Sequence, residues 1–147
     1  MFVKKVFEEK PRVKMIVGNC LEDSWCDAVK AELDKKGSPV LFIAEGVFMY
    51  LTLEEIGKFL KILKDNFSRG RLITEQNNPM MVKKQKYHDT VKATKAEFKS
   101  GTWSGQEIED LCQGFRFIEE MRKYSFGGRL FAALLPKMND RWASFDW

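Results

Sequence analysis

Cysteine and histidine are scarce in this sequence, and neither is arranged for metal binding. Cys20, Cys26 and Cys112 form no C-x-x-C pair, and His88 is the lone histidine. A zinc site needs a cluster of such ligands, so no metal is expected. An odd number of cysteines argues against a disulfide framework and suits free thiols in a reducing cytoplasm. No apolar run approaches the roughly 20 residues of a membrane span. No signal-peptide pattern follows Met1. A soluble, cytoplasmic chain with no membrane partner is the expectation. Charge of one sign is also in short supply: 25 Lys and Arg against 21 Asp and Glu leave a net charge of +4. The densest basic cluster, Lys83, Lys84 and Lys86, continues to Lys92, Lys95 and Lys99 with no aromatic-basic stripe or binding motif. That pattern suits a solvated helix face rather than a nucleic-acid partner.

What is present is ordinary globular composition, 44% hydrophobic and 31% charged over 147 residues. One domain, 1–147, can bury a core at that length. Phe2 to Lys10 reads as the end of a helix stopped by Pro11. Arg12 to Gly18 reads as a strand with its centre at Val13–Val17. Ser24 with Asp27 suits an N-terminal cap, and Trp25, Val29 and Leu33 line one face of the helix that follows. Thr52 and Glu55 make a capping box ahead of the stripe Ile56, Phe59, Leu60, Leu63 and Phe67. Arg71 to Glu75 reads as a strand, and Asn77-Asn78-Pro79 as a break. Pro79 to Lys99 holds one or two surface helices, and Glu107 to Cys112 a short one. Phe115 to Tyr124 is a strand that Gly127-Gly128 breaks. Leu130 to Leu135 is an apolar helical segment, and Arg141 to Trp147 a final strand. Alternating helices and strands joined by short loops predict an α/β fold with a mostly parallel sheet and an antiparallel C-terminal strand pair.

The densest signal lies at Pro39 to Ile56. Val40 to Ala44 is a continuous apolar run, suited to a strand covered on both faces. It stops on Glu45-Gly46, and the carboxyl end of a strand is where open α/β sheets bind ligands. There a carboxylate can accept from a cationic group, and a glycine lets backbone approach a ligand. The alternative is a solvated glutamate in a strand-to-loop turn. Tyr50 suits a wall of the substrate pocket. In Gly18 to Trp25, the Asn19 amide and the Cys20 backbone N–H are able to meet a ligand, or the segment simply forms a helix-capping turn. His88, in a polar stretch without a partner motif, reads as a surface residue.

The wording Ile-Ala-Glu-Gly-Val-Phe-Met-Tyr-Leu (43–51), with Gly18 to Trp25, resembles the S-adenosylmethionine-dependent O-methyltransferases related to leucine carboxyl methyltransferase and the tetracenomycin polyketide O-methyltransferase. The likeness extends through Arg12–Trp25, Pro39–Phe67 and Ala96–Trp147. It implies a partial class I methyltransferase (Rossmann-like) sheet. It also implies an S-adenosylmethionine cofactor held by Asn19, Cys20, Leu21, Glu45 and Gly46, and a small-molecule substrate. Asn19 replaces the family's aspartate. The acceptor stays open among carboxylate, phenol and polyketide hydroxyl. No catalytic base is identified, and transfer from a sulfonium methyl needs alignment more than acid-base help.

Neither the family's glycine-rich loop nor its ribose-binding acidic residue is found. The resemblance therefore implies the carboxyl-terminal part of a methyltransferase domain, binding cofactor weakly or not at all alone and not turning over. A non-catalytic α/β remnant acting as a dimeric interaction module is the alternative. In the resembled sheet the strands run third, second, first, fourth, fifth, seventh, sixth. Without the first two, Val40–Ala44 is an open edge, and the Trp25, Val29 and Leu33 face is expected to be uncovered. A homodimer through this edge, or by exchange of Met1–Gly18, is the corresponding expectation.

Overall fold

The computed structural model describes residues 13–33, 37–85, 96–122 and 141–147. Several expectations lie outside them: the helix at Phe2–Lys10, His88, Lys86, Lys92 and Lys95, Gly127-Gly128, and the segment Leu130–Leu135.

The elements in chain order are α1 (Cys26–Ala31), β1 (Val40–Ala44), a 3-10 turn (Phe48–Tyr50), α2 (Leu53–Asn66), β2 (Gly70–Gln76), α3 (Pro79–Lys83), α4 (Gly105–Glu109), β3 (Arg116–Arg122) and β4 (Arg141–Asp146). The fold is mixed α/β. Its four-stranded sheet runs β1-β2-β4-β3. β1 and β2 are parallel, Val40 beside Gly70 and Ala44 beside Thr74. β4 lies antiparallel between β2 and β3, with Leu72 opposite Phe145, and a bulge falls between Phe117 and Glu119 of β3. This is the order the resemblance implies for the fourth, fifth, seventh and sixth strands. The closing antiparallel pair is where the sequence predicts it.

α2 forms for reasons written locally. The Glu55 N–H donates to Thr52 Oγ1 at 3.1 Å, and the Thr52 N–H donates to Glu55 Oε2 at 2.8 Å. This box satisfies two of the donors that a helix start leaves open. Ile56, Phe59, Leu60 and Leu63 then fall on one face and are buried with Leu72, Ala143 and Phe145 of the sheet. Each such side chain contributes about 1.5–3 kcal/mol on burial. Beside this core, Phe42 meets Phe67 at 5.0 Å between ring centroids, and Phe115 stacks on Trp147 at 4.9 Å.

The structure departs from the sequence reading in five places. β1 is not covered on both faces: Leu41 and Ile43 are exposed, because among the described residues β1 is an edge strand with one face open. The stretch 13–17 is not a strand, and Val13 and Val17 are exposed. No neighbouring strand among the described residues takes its backbone groups, so its alternating pattern has nothing to pair with. Trp25, not Ser24, is the N-cap of α1, and it makes no side-chain cap bond. Trp25 and Val29 pack against the core instead of lying uncovered. The reason is that α1 sits on the α2 side of the sheet, where Trp25 stacks on Phe67 at 6.2 Å. Finally, α4 spans Gly105–Glu109 and ends before Cys112, since Asp110 to Cys112 turn back on carbonyls at Gln106, Ile108 and Glu109.

Candidate functional site

The site is built where β1 and β2 end. Ala44 is the last strand residue of β1, and Gly46 follows with φ +63°, a left-handed conformation that L side chains rarely adopt. A Cβ at Gly46 would meet nothing within 4 Å, so the glycine is required by the turn and not by crowding. The turn leaves Glu45 exposed, and its carboxylate has no hydrogen bond or ion pair among the described residues. The chain then runs through the 3-10 turn into α2.

The end of β2 is quite different. Thr74, Glu75, Gln76, Asn77 and Asn78 form a polar run, yet all five are buried. Burial of so many polar groups demands partners. Thr74 Oγ1 finds the Ala44 carbonyl at 3.3 Å. Gln76 and Asn77 find partners in the segment 96–102, which is stitched across both strand ends. The Lys99 N–H donates to the Met49 carbonyl at 2.8 Å and Ser100 Oγ to the Phe48 carbonyl at 3.0 Å, fixing it to the loop after β1. The Thr102 N–H donates to the Asn77 carbonyl at 3.0 Å, and Thr102 Oγ1 to Gln76 Oε1 at 2.7 Å, fixing it to the end of β2. Gly101 is needed for this approach, because a Cβ there would come within 2.8 Å of the Asn78 backbone. Asn78 turns its Oδ1 onto the Met80 and Met81 N–H groups and caps α3. From β4, Arg141 reaches Thr102 and lies 3.4 Å from Glu120.

What remains at the end of β2 is a cavity of about 10 Å³ between Phe48, Gln76, Ser100 and Thr102. That is room for about one water molecule. The end of β2 is thus filled by its own side chains, whereas Glu45 and Gly46 sit on an open turn at the end of β1. A larger groove, about 780 Å³, lies at the opposite end of the strands among Pro39, Leu41, Arg69, Arg71, Arg116 and Trp147.

The Asn19 amide makes two bonds within its own turn. Its Nδ2 donates to Glu22 Oε1 at 3.1 Å, and its Oδ1 accepts from the Leu21 N–H at 3.0 Å. The side chain therefore closes its own turn. Cys20 and Leu21 are half-buried against the core, and Cys20 lies close enough to Glu55 to feel its charge. Burial pushes the Cys20 thiol up. Glu55 is held below the usual carboxylate range by the Thr52 N–H it accepts from. Tyr50 is half-buried with its ring 5.7 Å from Phe98, a wall position between loop and crossing segment. No cluster of His, Cys, Asp and Glu able to hold a metal occurs among the described residues. The sequence reading missed Gln76, Asn77, Ser100, Thr102 and Arg141. The polar run at the end of an otherwise apolar strand was the available signal.

A group with an ammonium fits Glu45, a carboxylate unpaired among the described residues, and Gly46 admits close backbone approach. At the 19–21 turn the backbone and the second N–H and second lone pair of the Asn19 amide remain for a ligand.

No protein-family model matches the chain. The tetracenomycin polyketide synthesis O-methyltransferase TcmP of Streptomyces glaucescens is 24% identical over 116 residues, 79% of this chain and 41% of that protein. Among solved structures, magnesium protoporphyrin IX methyltransferase from Synechocystis PCC 6803, crystallised with bound SAH, matches with a TM-score of 0.43 and 16% identity. That match covers 79% of this chain and 47% of the other. The chain spans less than half the length of either protein. Over 79% of its residues the chain resembles in sequence part of an S-adenosylmethionine-dependent O-methyltransferase of the tetracenomycin polyketide type.

Proposed function

We propose that this chain is the part of an S-adenosylmethionine-dependent O-methyltransferase that carries the Glu45–Gly46 edge of the cofactor site. The observation that supports it most is the carboxylate of Glu45, unpaired among the described residues, beside a left-handed glycine at the carboxyl end of a strand in a sheet of the expected order. Bound there, the cofactor supplies an electrophilic methyl group on its sulfonium. Glu45 accepts from the ammonium of the methionine portion, and Gly46 allows the backbone close to it. The Cys20 and Leu21 backbone borders the adenine. Tyr50, held against Phe98, walls the substrate side. The buried Gln76–Thr102–Arg141 network keeps the floor rigid, so that the oxygen nucleophile is aligned by position and not by a strong base.

The acceptor is a carboxylate or hydroxyl of a small molecule, and the likeness to TcmP points to a polyketide-like one. The same reading has the chain in the cytoplasm, consistent with three free thiols, and has two copies associating. The sequence match favours it over a non-catalytic module. No helix among the described residues is long and apolar enough to cross a membrane.

Affinity of this chain alone is expected to be weak. Each charge-assisted contact that is missing costs about 1.5–3 kcal/mol. Nuclear magnetic resonance titration with millimolar S-adenosylhomocysteine tests the proposal. Shifts confined to the 19–21 and 45–50 amides, reduced in Glu45→Ala, are the expected result. No shift at those amides, or an unchanged response in Glu45→Ala, removes Glu45 from the site. A submicromolar dissociation constant would overturn the claim that this part binds weakly.

A further inference from the structure

Among the described residues β1 has one hydrogen-bonded neighbour, β2. The Val40 N–H donates toward β2, to the Arg69 carbonyl, and the Ala44 carbonyl accepts from Thr74 Oγ1. Backbone groups alternate sides along a strand, so Val40, Phe42 and Ala44 face β2. The N–H and C=O of Leu41 and Ile43 face outward, away from the sheet. Their side chains are also exposed, 55% and 63%. No lysine, proline or bulge guards the five residues of this edge.

The strand is flanked by opposite charges. Exposed Glu45 follows directly on the end of β1. At its start, Pro39 and Leu41 line a groove with Arg69 and Arg71. Arg71 is already paired, its guanidinium bidentate on Asp146 at 2.7 and 2.9 Å. Arg69 makes no side-chain hydrogen bond or ion pair among the described residues.

We infer that the edge of β1 pairs antiparallel with the same edge of a second copy, on a two-fold axis through Phe42. In that register Leu41 of each copy faces Ile43 of the other. Both residues have outward N–H and C=O groups, so the two pairs exchange four hydrogen bonds. The Phe42 residues meet at the axis as a non-hydrogen-bonded pair. The register sets the partner's Glu45 opposite Pro39 and on the same face as Arg69. Strands about 4.8 Å apart place that carboxylate and that arginine about 10 Å apart at Cα, a gap their side chains span over the proline. The two-fold repeats the ion pair at the other end. An apolar centre closed by a charge pair at each end is self-complementary, which is the argument for a second copy over an unrelated strand. Held by the partner's Arg69, Glu45 is withdrawn from an ammonium ligand, so association and cofactor binding compete for it.

The inference rests on self-association of the chain, and sedimentation equilibrium of charge-reversed variants tests the two separately. The wild-type chain is expected to dimerise. Glu45→Arg and Arg69→Glu alone should each weaken the dimer by about tenfold or more, with two repulsive contacts per dimer. The double variant should restore it to within about threefold of wild type. Ile43→Pro removes an outward N–H without touching the bonds to β2, and should leave a folded monomer by circular dichroism. If that variant misfolds, the charge swap retains its own readout. A wild-type chain that stays monomeric at millimolar concentration overturns self-association and the register together. A dimer indifferent to the single reversals, or not rescued by the double, overturns the register alone.

Discussion

Arg141 and Thr102, 39 residues apart in the chain, are joined by one guanidinium nitrogen that donates to both the carbonyl and the hydroxyl of the threonine. Both residues are buried, and the hydroxyl in turn donates to Gln76. The contact ties β4 to the segment that crosses the ends of β1 and β2. Thr102→Val keeps the shape and removes the hydroxyl, leaving Gln76 without the donor its oxygen uses. An unfulfilled buried polar group costs about 1–3 kcal/mol. Urea denaturation should show a loss in that range, and a change within experimental error would mean that the network does not hold the floor.

The capping box offers a cleaner local test. Thr52→Ala deletes the acceptor for the Glu55 N–H and should cost about 1 kcal/mol, within the usual 0.5–2. Thr52→Ser keeps the hydroxyl and should recover most of it. Equal losses in the two variants would show that the oxygen is not what stabilises the start of α2.

Packing at the centre of the core sets the largest single effect. Leu60 is fully buried on α2, among Ile56, Leu63 and the sheet. Leu60→Ala should destabilise by about 2–5 kcal/mol through lost burial and the cavity left behind. Chemical denaturation measures it directly, and a loss under about 1 kcal/mol would contradict this placement.

Acid should weaken the molecule through Asp146 and Glu109. The Arg71 guanidinium bound to Asp146, and the Phe117 N–H bound to Glu109, hold both carboxyls below the usual range. A depressed folded-state pKa gives stability that is present above the unfolded pKa. That stability is lost as pH falls through the folded value. The loss should therefore begin near the ordinary carboxylate range, about pH 4, and deepen below it. Arg71→Met should flatten this acid limb, and an unchanged pH profile would show that the pair is not linked to folding.

The thiols supply a kinetic readout. Burial raises Cys20, Cys26 and Cys112 alike, and Cys26 is fully enclosed. The thiolate is the reactive form, so alkylation at neutral pH should be slow in the native chain and fast in urea. Rapid native-state labelling of Cys26 would contradict its position in the core.

The elements legible in the sequence are those whose cause is local. The box at Thr52 and Glu55 and the stripe from Ile56 to Leu63 specify α2, because capping and a helical period act within a few residues. The apolar run Val40–Ala44 ending on Glu45-Gly46 specifies β1 and the turn beyond it. The resemblance carried by the same residues supplied the strand order that the sheet adopts. Tertiary structure decided the rest. The pattern at 13–17 alternates like a strand, yet only a neighbour could have made it one. Asn19 has the atoms to meet a ligand, but the nearby Glu22 and Leu21 N–H engage both ends of its amide. The polar run Thr74–Asn78 looks like an exposed break and is buried, because Thr102 arrives from a distant segment to bond Gln76 and Asn77, and Arg141 in turn bonds Thr102. Arg71 finds Asp146 across 75 residues. Periodicity reports which face of an element is apolar. Which distant group satisfies a polar atom depends on where the chain returns, and that only the packed sheet decides.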